Sequence, residues 1–171
     1  MPRSTTLEAG GACSIARTLG IVGERWSLLV VREAMKGRTR FGEIQDALRI
    51  STDILATRLE GLIEAGILER RPYREPGSRT RFSYHLTPTG LELVPVLAAL
   101  MQWGDAHLAG KSGPPALMRH RATGAPVRVA FVDDKGHRVE VGDVEVIPGP
   151  GAGQRAATPF AKSAPGGISA R

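Results

Sequence analysis

One stretch near the middle of the chain changes from helical to strand-like periodicity, and this change constrains the fold more strongly than any other feature. Its helical part carries four apolar residues on one face, at i, i+4, i+7 and i+8: Leu55, Leu59, Leu62 and Ile63. Gly66 follows, at the position where a helix often ends in a left-handed residue. Two strand-like segments, 67–73 and 81–86, come next, and residues 74–80 between them are rich in turn-forming residues. The sequence therefore predicts a helix that leads directly into a β-hairpin.

Helical patterns also precede and follow this stretch. Three helices are predicted before residue 51 from apolar repeats at helical spacing: Ile15, Leu19 and Val22, then Trp26, Leu29 and Val30, then Phe41, Ile44 and Leu48. Gly37 is expected to end the second helix, Thr39 to cap the third and Ser51 to cap the fourth. A fifth helix opens at Thr87–Pro88 and is expected to run to Leu108.

The order of these elements is typical of a winged helix-turn-helix. Only Arg49 and Ile50 join the third and fourth helices, which suits two helices that cross steeply and present the fourth to a DNA major groove. We expect a mainly α fold with a small β component, in which the fifth helix serves dimerisation. A β-hairpin extension is expected at the C-terminal side, where alternating valines flank a turn-prone tip at 133–136.

Composition narrows the classes of function. The 171 residues include 23 Lys and Arg and 17 Asp and Glu, so the net charge of +6 favours an anionic partner, either nucleic acid or an anionic membrane surface. The single cysteine excludes an internal disulfide, and the four histidines lack metal-ligand spacing. We expect no enzyme activity, no metal and no cofactor. No apolar run is long enough for a membrane span or signal peptide, which predicts a cytoplasmic protein.

The chain divides by composition into five segments. These are a flexible N-terminus at 1–12, a helical domain at 13–109, a linker at 110–116, the hairpin extension at 117–150 and a disordered tail at 151–171. The tail consists mostly of Gly, Pro, Ala and Ser, which bury too little apolar surface to order a chain. The extension could add dimer surface, bind a small ligand or do little.

Several ordered motifs resemble the HxlR family of bacterial transcriptional regulators, which are MarR-like winged helix-turn-helix proteins. The matching stretches are 13–17, 23–29, 40–43, 50–51, 66–70, 84–87 and 101–104. This resemblance implies a dimeric DNA-binding protein, usually a repressor and sometimes an activator. Thr52–Asp53 stands where many family members carry Pro, Lys or Arg, which puts a cationic contact there in doubt. The extension is similar to a zinc-ribbon-like hairpin of some members but lacks every cysteine, so no zinc is expected.

The expected DNA contacts come from three regions. The outer face of the fourth helix can read bases, the arginine-rich wing can neutralise phosphates, and two arginines flank the start of the third helix. The residues are Arg38, Arg40, Ser51, Thr52, Thr57, Arg58, Arg74, Arg79 and Arg81. The alternative is that these are ordinary solvated charged surfaces, and that Arg71 and Arg81 pair with acids of the body. A winged helix that binds only proteins is the competing function, but it would not need an arginine-rich wing.

The fifth helix carries more apolar residues than packing on one small domain requires. One stripe contains Leu91, Val94, Ala98 and Met101, and a second contains Leu93, Val96, Leu97 and Leu100. A homodimer on a roughly palindromic operator would cover the second stripe, through Ile15, Leu19, Leu93, Leu97, Leu100, Met101 and Trp103. The alternative is that the C-terminal hairpin covers this stripe within one chain. Pro95 should bend the helix.

Cys13 is a candidate thiol sensor. It precedes the first helix, and a helix N-terminus with Arg17 one turn later favours the thiolate. The resemblance adds that some family members sense oxidants, quinones or aldehydes through a cysteine at the matching position. The alternative is a small, half-buried packing residue without a signalling role. Any other effector is unknown from the sequence.

Overall fold

The computed structural model describes residues 13–108 and 110–152. Within them the chain forms two compact units, with the boundary between Leu117 and Met118. The flexible N-terminus expected at 1–12 lies outside the described residues. Residues 153–171 of the expected disordered tail also lie outside them. No helix in the described part of the chain is long and apolar enough to cross a membrane.

The first unit has the mainly helical fold, with one small antiparallel sheet, that the sequence predicts. Its elements are α1 (Ser14–Val22), α2 (Ser27–Met35), α3 (Phe41–Leu48), α4 (Thr52–Glu64), β1 (Leu68–Tyr73), β2 (Arg81–Leu86), α5 (Pro88–Leu91) and α6 (Val94–His107). The core lies between α2, α3, α4 and the hairpin. Its buried side chains are Val22, Val30, Val31, Ile44, Leu48, Ile50, Leu55, Leu59, Leu62, Ile67 and Leu68. The predicted stripe on α4 is thus the face that packs inward.

Strands β1 and β2 pair antiparallel, from Leu68 opposite Leu86 to Tyr73 opposite Arg81. The loop between β1 and β2 forms the tip of the wing. It contains a tight turn over residues 75–78, which is closed by a hydrogen bond from the Ser78 amide to the Glu75 carbonyl (3.0 Å). Pro76 and Gly77 occupy its two central positions, and Gly77 has a φ of +75°. This is the residue pattern that a type II turn requires.

The capping of α3 differs from the sequence prediction. Arg40, rather than Thr39, is the residue at the N-cap. The Glu43 carboxylate accepts hydrogen bonds from the backbone amides of both Thr39 and Arg40, each at 3.0 Å. The glutamate at the third helical position therefore reaches back to the amide of the N-cap residue and to that of the residue before it, as the glutamate of a capping box does.

The single fifth helix expected from the sequence is two helices. Thr87 caps α5 as predicted, because its hydroxyl accepts a hydrogen bond from the Gly90 amide at 3.0 Å. The chain then turns at Glu92–Leu93, and α6 starts with Pro95 in its first turn. In a continuous helix Pro95 would lack the amide that bonds to Leu91 and would clash with that carbonyl. The expected bend is therefore a break.

The second unit contains a short hairpin, β3 (Phe131–Val132) and β4 (Arg138–Val139), with Phe131 opposite Val139. The turn at 133–136 agrees with the sequence, since Gly136 has a φ of +82°. The paired strands are only two residues long each, so they cover little of the run of alternating valines around the tip, and a 3-10 turn at Val141–Asp143 follows β4. Alternating valines enforce a strand only where one face is buried, and here Val132 and Val141 are 61% and 71% exposed.

Candidate nucleic-acid interface

A tight turn joins α3 to α4 and fixes their crossing. Arg49 adopts the left-handed conformation, with a φ of +52°, and is the only non-glycine residue with a positive φ in the part of the chain that the structure describes. Its amide donates to the Gln45 carbonyl at 2.7 Å. The Gln45 side-chain amide then reaches across the turn, to the Ile50 carbonyl at 3.3 Å and the Thr52 hydroxyl at 3.0 Å. These bonds hold the start of α4 against the end of α3.

The exposed face of α4 agrees largely with the sequence prediction. Ser51 is the N-cap, and its hydroxyl accepts a hydrogen bond from the Ile54 amide at 3.4 Å. Thr52 and Thr57 are exposed, as are Asp53, Ala56 and Glu60. Ile54 is also 41% exposed, although the sequence analysis did not count it among the residues of the outer face. An exposed isoleucine on this face is suited to contact thymine methyl groups.

Arg58 lies apart from this exposed face. Its guanidinium Nη2 pairs with Glu24 Oε2, in the loop between α1 and α2, at 3.4 Å, and the side chain is only 28% exposed. Its Nε atom is buried and has no hydrogen-bond partner within the described part of the chain. The structure therefore ties Arg58 to the body of the domain and does not place it with Thr52 and Thr57.

The wing presents exposed cations. Arg74, Arg79 and Arg81 are all exposed, and Arg74 Nε donates to the Ser78 carbonyl at 3.1 Å across the loop. Among residues 13–108 and 110–152, neither Arg79 nor Arg81 has an ion-pair partner. Arg71 instead pairs with Glu69 at 2.5 Å. The alternative interpretation paired Arg71 and Arg81 with acids of the body; Arg71 does pair with an acid, but that acid belongs to the same strand of the hairpin.

Arg40 connects α3 to the wing. Its Nη1 atom donates to Glu75 Oε1 at 2.8 Å, and its Cζ atom lies 4.8 Å from the centre of the Tyr73 ring. The backbones meet as well, since Arg40 bridges Ser83 of β2. Arg40 was expected to hold a DNA phosphate, but in this structure its guanidinium is engaged by the wing.

Arg38 takes part in a cluster around a buried carboxylate that the sequence analysis missed. The side chain of Glu33 is 2% exposed, and its oxygens contact Arg32 Nη2 at 2.6 Å, Lys36 Nζ at 3.4 Å and Arg38 Nη1. Burial by itself raises the pKa of Glu33, but the hydrogen bond from Arg32 and the charges of Arg32, Lys36 and Arg38 outweigh it, so the pKa lies below its ordinary value. Arg38 is first of all a partner of Glu33.

The expected dimer residues fall into two groups. Ile15, Leu19, Leu100 and Trp103 are 72%, 56%, 52% and 58% exposed. The other group, Leu93 and Leu97, packs against the core, and Met101 is half-buried. Leu97 thus faces the core, although the sequence analysis placed it in one stripe with Val96 and Leu100, which are exposed. Exposed apolar side chains include Val96, Leu100 and Trp103 on α6 and Ile15 and Leu19 on α1, and we name these five residues the outer row.

Cys13 is exposed and occupies the N-cap of α1. The guanidinium of Arg17, one turn later, donates a hydrogen bond to the Ser14 hydroxyl at 3.1 Å. Cys13 is thus an exposed residue and not the half-buried packing residue of the alternative interpretation. Within residues 13–108 and 110–152, no three His, Cys, Asp or Glu side chains form a group that could hold a metal ion.

Comparisons with known proteins agree with this architecture. The family model for the HxlR-like helix-turn-helix matches residues 21–112. An uncharacterized HTH-type transcriptional regulator of Mycobacterium tuberculosis is 38% identical over 139 residues, which cover 81% of this chain and 87% of that protein. The crystal structure of PA1607, a proposed transcription factor, matches with a TM-score of 0.70 and 35% identity, over 79% of this chain and 94% of that chain. The oxidized form of the redox regulator HypR matches with a TM-score of 0.52 and 25% identity, over 57% of this chain and 100% of that chain.

Proposed function

The chain belongs to the HxlR family of helix-turn-helix transcriptional regulators, and on this premise we propose that it represses transcription by binding a roughly palindromic operator as a homodimer. One observation carries the proposal. The exposed face of α4 leads directly into a wing that carries exposed cations, and α4 packs against β1 of that wing. A base-reading helix and a phosphate-binding hairpin are therefore parts of one packed unit.

Base recognition is assigned to the first turns of α4. Thr52, Ile54 and Thr57 are exposed there, and the hydroxyl and methyl groups of such residues can approach base edges and thymine methyls. Ser51 is assigned a capping role, because its hydroxyl already accepts the Ile54 amide. Arg58 is left out of the proposed contacts because it pairs with Glu24.

Phosphate binding is assigned to the wing. Arg79 and Arg81 are the best candidates, since both are exposed and each lacks an ion-pair partner among the described residues. Arg74 is exposed as well and can bind a phosphate through the guanidinium nitrogens that it does not use toward Ser78. Each phosphate that such a cation neutralises makes binding more sensitive to salt.

Dimerisation is assigned to the outer row. Its five apolar side chains are each at least 43% exposed, and an exposed apolar row of this kind is unfavourable in water unless a partner covers it. A second copy of the same surface is the simplest partner, because an isologous contact would place two copies of α4 against the two halves of a palindrome. In this proposal the protein acts in the cytoplasm, associated with the nucleoid.

A redox response through Cys13 is the second part of the proposal. The thiol is exposed at the start of α1, two residues before Ile15 of the outer row, so its oxidation would alter the proposed dimer contact. The similar protein HypR is a redox regulator. Diamide oxidises two thiols to a disulfide, and because each chain has one cysteine, the second thiol must be the Cys13 of another copy. This treatment should abolish operator binding by the wild type and leave a Cys13→Ser variant unaffected. Equal loss in both proteins would remove Cys13 from the proposal.

Gel-shift titration on the DNA upstream of the protein's own gene, repeated over a range of salt, tests the main proposal. The affinity should fall steeply with salt, and Arg79→Ala should lower the slope of log K against log salt by about 0.9. Lys111→Ala is the matched control, since Lys111 is exposed in the segment after α6 and should leave the slope unchanged. Absence of binding to any upstream site, or an unchanged slope for Arg79→Ala, would contradict the proposed interface.

A further inference from the structure

The wing contains one acidic residue among its cations. Residues 70–81 include Arg70, Arg71, Arg74, Arg79 and Arg81, and Glu75 is the only acid of that segment. A carboxylate on a surface that approaches DNA phosphates is repelled by them. Glu75 therefore needs an explanation of its own, and its contact with Arg40 at 2.8 Å supplies one.

The turn at the wing tip fixes where this carboxylate lies. Glu75 is the first residue of the type II turn that Pro76 and Gly77 form, and its carbonyl accepts the Ser78 amide. Its backbone is thus set by the turn residues. The backbone of Arg40 is set separately, by its place at the N-cap of α3 and by its bridge to Ser83. Glu75 and Arg40 are therefore each positioned by contacts other than their ion pair, which joins the wing tip to the start of α3.

The geometry of Arg40 leaves its charge available for exchange. The guanidinium carbon of Arg40 lies over the Tyr73 ring, 4.8 Å from its centre, whereas Glu75 uses only one of the guanidinium donors. Carboxylate and phosphate oxygens bind the same edge donors of a guanidinium, so they compete for this position. The side chains of Arg40 and Glu75 are 49% and 43% exposed, so the pair is of the weak, solvent-screened kind.

We propose that Glu75 is an internal substitute for a DNA phosphate, which holds Arg40 in the free protein and releases it to the DNA backbone on binding. This inference rests on the proposed DNA-binding function. Each binding event must break the ion pair, so Glu75 lowers the affinity for DNA. Tyr73 keeps the guanidinium in place during the exchange. Glu75 is in this sense an affinity-determining residue that acts through Arg40.

A double-mutant cycle measured by fluorescence anisotropy on a labelled duplex of arbitrary sequence tests this exchange. Glu75→Gln should tighten binding about two- to fivefold at low salt, because the ion pair no longer has to break. In an Arg40→Gln background the same substitution should have a clearly smaller effect, since only the repulsion of one carboxylate by DNA is then relieved. Arg40→Gln in the Glu75→Gln protein should lower the salt slope by about 0.9, the amount expected for one lost phosphate contact.

Glu69→Gln is the matched control. Glu69 is an exposed acid of the same hairpin, but it pairs with Arg71. The change in DNA affinity caused by Glu69→Gln should therefore be the same in the Arg40 and Arg40→Gln backgrounds. An equal effect of Glu75→Gln in both Arg40 backgrounds would reduce Glu75 to a simple repelling charge and overturn the exchange. Weaker or unchanged binding by Glu75→Gln would overturn it as well. Failure of the wild type to bind any duplex would instead refute the DNA-binding function itself, and the exchange with it.

Discussion

Glu33 gives the sharpest prediction about stability. Replacing it with Gln keeps the size of the side chain and a hydrogen-bond acceptor, but removes the charge that Arg32, Lys36 and Arg38 surround. Loss of one partner from a fully buried pair costs about 3–5 kcal/mol. Glu33 is 2% exposed, but the three cations are 42%, 53% and 44% exposed and can be solvated once the carboxylate is gone. We therefore expect a smaller loss, about 2 kcal/mol, or about 4–8 °C in Tm for a chain of this length.

The pH dependence of this loss follows from the lowered pKa of Glu33. Burial raises the pKa, but the hydrogen bond from Arg32 and the charges of Arg32, Lys36 and Arg38 outweigh it and hold the pKa below the ordinary 4.5. A group whose pKa is lower in the folded state stabilises the fold above its unfolded pKa and loses that contribution as pH falls through its folded pKa. The difference in the free energy of unfolding between wild type and Glu33→Gln should thus be largest at neutral pH and become smaller as the pH falls.

Urea unfolding followed by circular dichroism, at neutral pH and at a series of acidic pH values, measures this difference. Glu69→Gln is the control, because its pair with Arg71 is exposed on both sides and contributes about 1 kcal/mol or less. Equal stability of wild type and Glu33→Gln at neutral pH would refute the reasoning. A difference that stayed constant, or grew, as the pH fell would refute the assigned sign.

Three further substitutions test the backbone and the outer row. Arg49→Gly should raise the thermal midpoint, because relief of left-handed strain of about 1–2 kcal/mol exceeds the entropic cost of glycine; a lower midpoint would show that Arg49 is unstrained. Gly90→Ala should unfold or strongly destabilise the protein, since its Cβ would lie 2.2 Å from the Ile67 carbonyl oxygen. Gly61→Ala is its control and should be tolerated, because a Cβ at Gly61 would meet no described atom within 4 Å outside the backbone of its own helix. Leu100→Asp should sediment as a folded monomer because Leu100 is 52% exposed, and a persistent dimer would place the partner surface elsewhere.

Local signals account for what the sequence predicted well. Ser51 and Thr87 cap their helices as expected, and Gly66 and Gly77 take positive φ values. Each cap or turn conformation depends on a few residues that are neighbours along the chain, so it can be predicted from one sequence alone. The inward stripe of α4 followed for the same reason, since helical spacing alone decides which residues share a face.

The misplaced features depend on distant contacts. Arg58 was assigned to DNA because nothing local indicates that Glu24, 34 positions earlier, lies beside it. Glu33 was overlooked because a charged residue in a helix is ordinarily exposed, and its burial depends on how α2 packs in the core. Leu97 was grouped with Val96 and Leu100 because apolar spacing alone does not show which face of a helix with apolar residues on several sides packs on the core. That depends on how α6 meets the rest of the domain.

The composition of the protein–DNA complex tests most directly whether two copies of this chain read a palindromic operator. Sedimentation of the wild type with the upstream DNA fragment should give two chains per site. Hydroxyl-radical footprinting of the same complex should show two protected half-sites, centred about 34–36 Å apart along one face of the duplex. One chain per site, or protection without twofold symmetry, would contradict the proposed arrangement of α4, the wing and the outer row.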